Sequence, residues 1–339
     1  MNWCESSTDG IVRMKEGVIG LANWRINGIA LVAIGAALWG MDSVFLVDLL
    51  KYFTSIEIIL FEHVLLAFFA VPVIWFSRHQ LRGLGVKGWG ALLFISWGGS
   101  AIASIIFTEA FLYGNASVVL ILQKLQPLFA IVMARWLLKE KLPRHFQWFL
   151  LVALFGTYLL TFGFTIPSGL TDFRIVGSLL AIGAAVLWGG STVMGRLLLN
   201  HMPFKTVTAA RFFMALPFLL VLVLFSNPNW VQMGQHAIIP AAFLNVLFQA
   251  LFPSLISLLL YYKGLSTTKA SYATIAELAF PATGLLLNWL VLHQGITWGQ
   301  FIGFVVVWFV VFQIARYQDK DANAVTYPSA ITDISIEAE

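Results

Sequence analysis

The chain is written as apolar runs of about 20 residues separated by short polar breaks, and about 20 residues is what a helix rising about 1.5 Å per residue needs to cross a hydrocarbon layer of about 30 Å. Few folds accept that pattern. In lipid every backbone N–H and C=O must be bonded within the protein, which leaves helices or a closed barrel. Barrel strands would be about half as long and would alternate polar with apolar residues. The pattern therefore predicts an all-α integral membrane protein. Composition agrees: hydrophobic residues make up 60% of the chain and Asp, Glu, Lys and Arg 11%, against roughly half and a quarter in soluble domains.

The runs predict ten transmembrane helices, over residues 26–47, 56–76, 88–111, 117–138, 146–164, 175–195, 206–225, 239–261, 270–292 and 297–316. The breaks carry turn and charge signals, such as "SRHQLRGLG", "KEKLPRH", "TIPSGLTD" and "SNPNW". Of the 20 Lys and Arg, Lys51 and Arg174 fall outside and Lys124 and Arg211 fall within spans when the N-terminus is placed in the cytoplasm, so the other 16 lie inside. The positive-inside rule selects that orientation, with both termini cytoplasmic, in the plasma (inner) membrane.

The ends say less. Residues 1–25 lack the short apolar core and small-residue cleavage site of a signal peptide and read as a cytoplasmic tail; residues 317–339 read as a solvated acidic tail. Cys4, the one cysteine, has no internal disulfide partner, and no cysteine and histidine spacing points to a metal site or a cofactor. The formal charge of +4 reflects basic loops facing anionic membrane lipid and not nucleic-acid binding.

"LVAIGAALWG" (31–40) returns as "LAIGAAVLWG" (180–189), with Trp39-Gly40 recurring 149 positions on as Trp188-Gly189. "NASVVLILQKLQP" (115–127) returns 154 positions on as "KASYATIAELAFP" (269–281). The chain therefore divides into a first repeat, 26–164, and a second, 175–316, of five helices each. Because five is odd, the second enters the membrane from the opposite side, and the two are inverted repeats.

These features resemble the drug/metabolite transporter superfamily and its EamA-type members. The resemblance rests on the paired Trp-Gly segments, on the small-residue turns entering the fourth and ninth helices ahead of Pro127 and Pro281, and on "LLKEKL" (137–142), whose Glu140 matches the acidic residue that usually closes the fourth helix. It implies a transporter fold. The family often has an arginine in the second helix of a repeat; Arg211 fits, while the first half has Glu62, and the second half has Gln294 where the first has Glu140.

Two readings of the small residues stand side by side. They allow close helix contact, as in any membrane bundle, or they leave room for a cavity beside Trp39 and Trp188. The prolines are more pointed. Proline at position i leaves the carbonyl of residue i−4 without its helical donor, so Pro127 is expected to free that of Gln123 and Pro281 that of Glu277, toward a wet cavity or a sealed kink. Pro72, Pro217 and Pro253 read as kinks.

Charge within the spans is the sharpest signal. Asp42, Glu62, Lys124, Arg211 and Glu277 would each cost several kcal/mol facing lipid, so they are expected to face inward. Glu62 and Lys124 lie roughly 9 to 11 Å from the outer ends of their spans, and Arg211 and Glu277 sit similarly from the inner ends. The expectation is an outer pair, Glu62 with Lys124, and an inner pair, Arg211 with Glu277, acting as gates or as structural pins. Gln123, the repeat mate of Glu277, joins the substrate-binding or gating set. His63 reads as a packed histidine.

The whole predicts a secondary active transporter, an exporter of a small organic metabolite such as an amino acid or an amphipathic compound, working by alternating access. No Walker pattern is present, so a gradient must drive it; protons acting through Glu277, Glu62 or Asp42 are the preferred coupling ion. The chain reads as no enzyme, since neither a nucleophile set nor paired histidines stand within the bundle. The alternatives are a lipid-carrier flippase and an intramembrane enzyme.

Overall fold

A computed structural model describes residues 27–41, 45, 48–167, 174–293 and 295–325. Residues 1–26 and 326–339, which include Cys4, and the positions Asp42 and Gln294 lie outside the described residues, while the start of the expected C-terminal tail continues the last helix to Val325. Among the described residues every regular element is helical.

Among the described residues eight helices are long and apolar enough to cross a membrane. They are α2 (Ser55–Arg82), α3 (Val86–Tyr113), α4 (Val118–Leu137), α6 (Ile175–Leu199), α7 (Phe204–Phe225), α8 (Pro240–Leu265), α9 (Ala270–Val291) and α10 (Trp298–Tyr317, continuing to Val325). Two apolar helices are shorter: α1, Gly28–Trp39 with 12 residues, and α5, Phe146–Phe162 with 17. Helix α1 closes at Gly40 inside the first predicted span, and Phe45 further along that span is again helical. At about 1.5 Å per residue α1 reaches only about 18 Å.

Local chemistry sets the helix ends. Asn27 accepts from the Ile29 N–H at the start of α1, and its amide donates to the Ala315 carbonyl of α10 at 2.6 Å. Thr54 and Glu57 form a reciprocal capping box at the start of α2. Helix α5 ends at Gly163, whose φ of +64° a side chain would strain.

The packing treats the halves alike. Helix α1 lies on α8 and α9 as α6 lies on α3 and α4, α2 pairs with α7, and α5 pairs with α10. Each contact joins one half to the other. The small residues of the duplicated segments make it possible: a Cβ at Gly40 would stand 2.7 Å from the Phe280 carbonyl oxygen, and one at Gly189 would stand 2.8 Å from that of Gln126. Gly40 and Gly189 are 149 positions apart, and Gln126 and Phe280 are 154 apart, the same offsets as the repeats. At these positions the glycines serve close helix contact.

Two helices depart from α geometry at matching places. Phe94–Ile102 in α3 and Ala250–Ile256 in α8 are π-helical. Pro253, expected to kink α8, sits within the second of these wider turns.

Candidate functional site

Helices α4 and α9 are each broken in two. Ala116–Gln123 gives way to Gln126–Leu137 across a turn at Lys124 and Leu125, and Ala270–Ala276 gives way to Ala279–Leu292 across a turn at Glu277 and Leu278. Pro127 and Pro281 stand in the first turn of the second segment, where a missing N–H has no helical partner to lose. The Glu277 carbonyl freed by Pro281 accepts the Phe280 N–H at 3.0 Å in a tight turn, which satisfies one of its lone pairs within the break.

The two breaks are joined at the centre of the bundle. The Glu277 side chain is buried, and its Oε1 accepts from Thr192 Oγ1 of α6 and from the Tyr261 hydroxyl of α8, both at 2.7 Å. Its Oε2 accepts from the Gln126 amide of α4 at 2.9 Å. Gln123 donates to Gln126 at 3.3 Å, extending the chain to the edge of the α4 break. The Trp39 ring packs on Tyr261 with centroids 5.0 Å apart. A carboxylate that accepts three donors is well matched as an anion, because ionised oxygens only accept.

Arg211 forms a second cluster beside it. Its Nε donates to Ser100 Oγ in the π-helical stretch of α3, and its Nη1 to the Tyr262 hydroxyl, each at 2.9 Å. Tyr261 and Tyr262 are consecutive, with ring centroids 5.4 Å apart, so the two clusters share one turn of α8. In the other half, Ser254 Oγ in the π-helical stretch of α8 donates to Glu62 Oε2 at 3.1 Å. Ser100 and Ser254 are 154 positions apart and Glu62 and Arg211 149 apart. The repeat has thus kept the serine and reversed the charge it meets.

The expected ion pairs are corrected. Among the described residues Glu62 is not paired with Lys124 and Arg211 is not paired with Glu277; the ion pair within 4 Å is the exposed Lys51–Asp48, at 2.6 Å. Asp48 beside it holds the Lys51 ammonium above its ordinary pKa. The Lys124 ammonium has no hydrogen-bond or ion-pair partner among the described residues. Trp188 packs against Phe107 with centroids 5.2 Å apart, while Trp39 approaches the carboxylate through Tyr261. His63 is buried edge-on against Phe212, with Nδ1 2.8 Å from the Ile59 carbonyl.

At the far end of α4, Glu140 caps the start of α9. Its carboxylate accepts from the Ala270 and Ser271 N–H groups at 2.7 and 3.1 Å and from Ser271 Oγ at 2.6 Å. The positive end of the helix dipole favours a carboxylate there.

The donors to Glu277 were missed in the sequence. Thr192 lies three residues past the repeated Gly189, Gln126 three past Gln123, and Tyr261-Tyr262 interrupts an apolar run. Ser100 and Ser254 were within reach of the offset of 154.

The chain matches the EamA-like transporter family twice, over residues 26–162 and 175–316. It belongs to that family. The two matches coincide with the two halves of the packing, and they make this protein a membrane transporter. The riboflavin transporter ImpX of Fusobacterium nucleatum is 30% identical over 274 residues, covering 78% of this chain and 90% of its own length. The uncharacterized transporter YoaV of Bacillus subtilis is 25% identical over 182 residues, 53% of this chain and 60% of its own. A solved crystal structure superposes with a TM-score of 0.66 over 87% of this chain and 98% of its own, at 15% identity, a likeness of fold alone.

Proposed function

We propose that this EamA-family protein is a secondary active transporter that crosses the inner membrane ten times, as two inverted repeats with both termini cytoplasmic, and moves a small planar metabolite by alternating access with Glu277 as its proton-coupled carboxylate. The observation that carries this reading is the Glu277 cluster, in which one carboxylate holds donors from α4, α6 and α8, drawn from both halves. Protonation at Oε2 turns an acceptor into a donor that faces the Gln126 amide NH2, which only donates, whereas the hydroxyls at Oε1 can turn and accept. With the proton on Oε2 the Gln126 bond lets go, and as the one of the three that joins the halves it loosens the contact between them. A titration thereby becomes a change in helix packing, which alternating access requires.

The Fusobacterium relative makes riboflavin the first substrate to test. The rings of Trp39 and Tyr261 beside the carboxylate offer the flat apolar surface that a heteroaromatic ring stacks on. The test is riboflavin flux in proteoliposomes under an imposed pH gradient, in both gradient directions so that the direction of transport is read as well. The expected result is flux that follows the proton gradient in the wild type, and in Glu277→Gln loss of the gradient's effect with residual riboflavin exchange. Wild-type flux indifferent to the gradient, with Glu277→Gln equally fast, would overturn it.

A second reading, flipping of an amphipathic lipid-like compound, rests on an apolar groove of about 590 Å³ between α2 and α8, lined by Phe61, Val64, Leu65, Ile238, Phe243 and Val246, with Val64, Ile238 and Phe243 exposed on the outer surface of the bundle. Flux of a fluorescent lipid in the same vesicles, unaffected by Glu277→Gln, would favour it.

A further inference from the structure

A second polar station stands on α8, 12 residues before Tyr261 and so roughly 18 Å along the helix from it. Gln249 is 1% exposed, and neither its amide oxygen nor its amide nitrogen has a hydrogen-bond partner. Asn245, one turn earlier on the same face, donates to the Phe45 carbonyl at 3.1 Å while its own amide oxygen is buried without a partner. Three amide atoms, two acceptors and one donor, are therefore unbonded within one turn. Leaving a buried polar group unpaired carries a penalty far larger than the worth of an ordinary hydrogen bond. Such a cluster calls for a partner at another stage of the working cycle.

The surroundings narrow that partner's chemistry. The stripe that carries Asn245 and Gln249 at i and i+4 continues with Phe248 and Phe252. The Phe248 ring lies 4.4 Å from that of Phe45 and is stacked on Phe252 at 4.8 Å with 25° between planes. A flat aromatic wall beside a row of amide donors and acceptors matches a planar heterocycle with an amide or imide edge. Neither an ion nor an acyl chain would use both. The π-helical stretch Ala250–Ile256 begins at the next residue. A π turn that tightens to α geometry rotates what precedes it, and so couples the aim of Gln249 to the bond between Ser254 and Glu62.

We propose that Gln249, with Asn245, is a substrate-reading station of the transport path that recognises the amide or imide edge of a planar heterocycle. The proposal deepens the transport reading above and takes from it only riboflavin as first probe. The N3–H of a flavin between its two carbonyls offers the alternating edge that a glutamine amide pairs with.

The experiment measures binding to purified protein in nanodiscs, wild type against Gln249→Leu, by flavin fluorescence for riboflavin and N3-methylriboflavin and by melting shift for uridine and 3-methyluridine. Because leucine removes an unbonded amide, the variant is expected to melt at or above the wild type without ligand; Gln249→Met is the second variant should leucine fail to fold. The expected result is that the wild type prefers riboflavin over its N3-methyl form by about tenfold or more, as one lost pairing implies, and that Gln249→Leu loses the preference. Should no flavin bind while uridine, and not 3-methyluridine, stabilises the wild type more than the variant, the flavin substrate fails and the station stands. Equal behaviour of wild type and folded variants toward every N–H and N-methyl pair would overturn it, leaving Gln249 an amide that meets only trapped water.

Discussion

Helices α4 and α9 break just ahead of equivalent prolines, at Lys124 three residues before Pro127 and at Glu277 four before Pro281, yet the breaks carry opposite loads. At the α9 break a carboxylate accepts from three other helices. At the α4 break the Lys124 ammonium has no hydrogen bond or ion pair among the described residues, and its neighbour Gln123 reaches only Gln126. The backbone device has been duplicated and the chemistry has not. Duplication alone would give a transporter two equal halves. The divergence leaves one break bonded to the bundle and the other with a charge to offer, the asymmetry a coupled carrier needs if one site answers to protons and the other to solute.

The largest effects should come from making the bonded break resemble the unbonded one. Tyr261→Phe removes a 2.7 Å bond to Glu277 and keeps the ring on Trp39. A hydrogen bond to a charged group contributes about 1.5 to 3 kcal/mol, and the predicted outcome is a loss of that size in stability with transport reduced roughly tenfold or more. Lys124→Met is predicted to leave stability unchanged or raised, because no partner is stranded when the ammonium goes. Its loss should appear in transport alone. Melting and flux measured together on both variants check this; destabilisation of Lys124→Met as deep as that of Tyr261→Phe would erase the distinction between the breaks.

Intermediate effects should be symmetric, because the packing is. Gly40→Ala and Gly189→Ala each set a methyl against the backbone of a broken helix, at 2.7 Å from the Phe280 carbonyl oxygen and 2.8 Å from that of Gln126. Overpacking of this kind destabilises by about 1 to 3 kcal/mol. Similar losses of melting temperature in the two variants are predicted; a loss in one alone would show that only one interface is rigid.

How far the sequence could be read follows the same division. The apolar runs, the duplicated Trp-Gly segments and the breaks ahead of Pro127 and Pro281 are local patterns, and all are visible in spacing. The partners of the charges are not local. Glu277 is met by side chains 16, 85 and 151 residues away. The ion pairs expected from opposite signs do not form among the described residues, because short bonds from neutral hydroxyls and an amide satisfy a buried carboxylate without the expense of desolvating a second ion. The π-helical stretches that place Ser100 and Ser254 leave no mark in helical periodicity. The turn at Gly40 that closes α1 leaves no mark in hydrophobicity either, which runs on past Trp39.

The smallest effects should come from the prolines themselves. Each stands in the first turn of a second helical segment, where an N–H has no i−4 obligation, so alanine there breaks nothing. In α9 the Glu277 carbonyl, which the N–H restored by Pro281→Ala would seek, already accepts from Phe280 at 3.0 Å, and a second, shared bond to it adds little. What alanine does change is the freedom of the unfolded chain, a term of about 0.4 to 1 kcal/mol against the variant. Pro127→Ala and Pro281→Ala are therefore predicted to shift stability by no more than about 1 kcal/mol and to keep most of their transport. The breaks are held by what packs on them: Gly40 and Gly189 bring α1 and α6 against the second segments, and Glu277 ties its own turn to three neighbours. Melting and riboflavin flux on both variants decide the matter. Transport lost in Pro281→Ala with melting unchanged would make the proline part of the moving machinery, and would mean that the α9 break is kept open by its backbone and not by its neighbours.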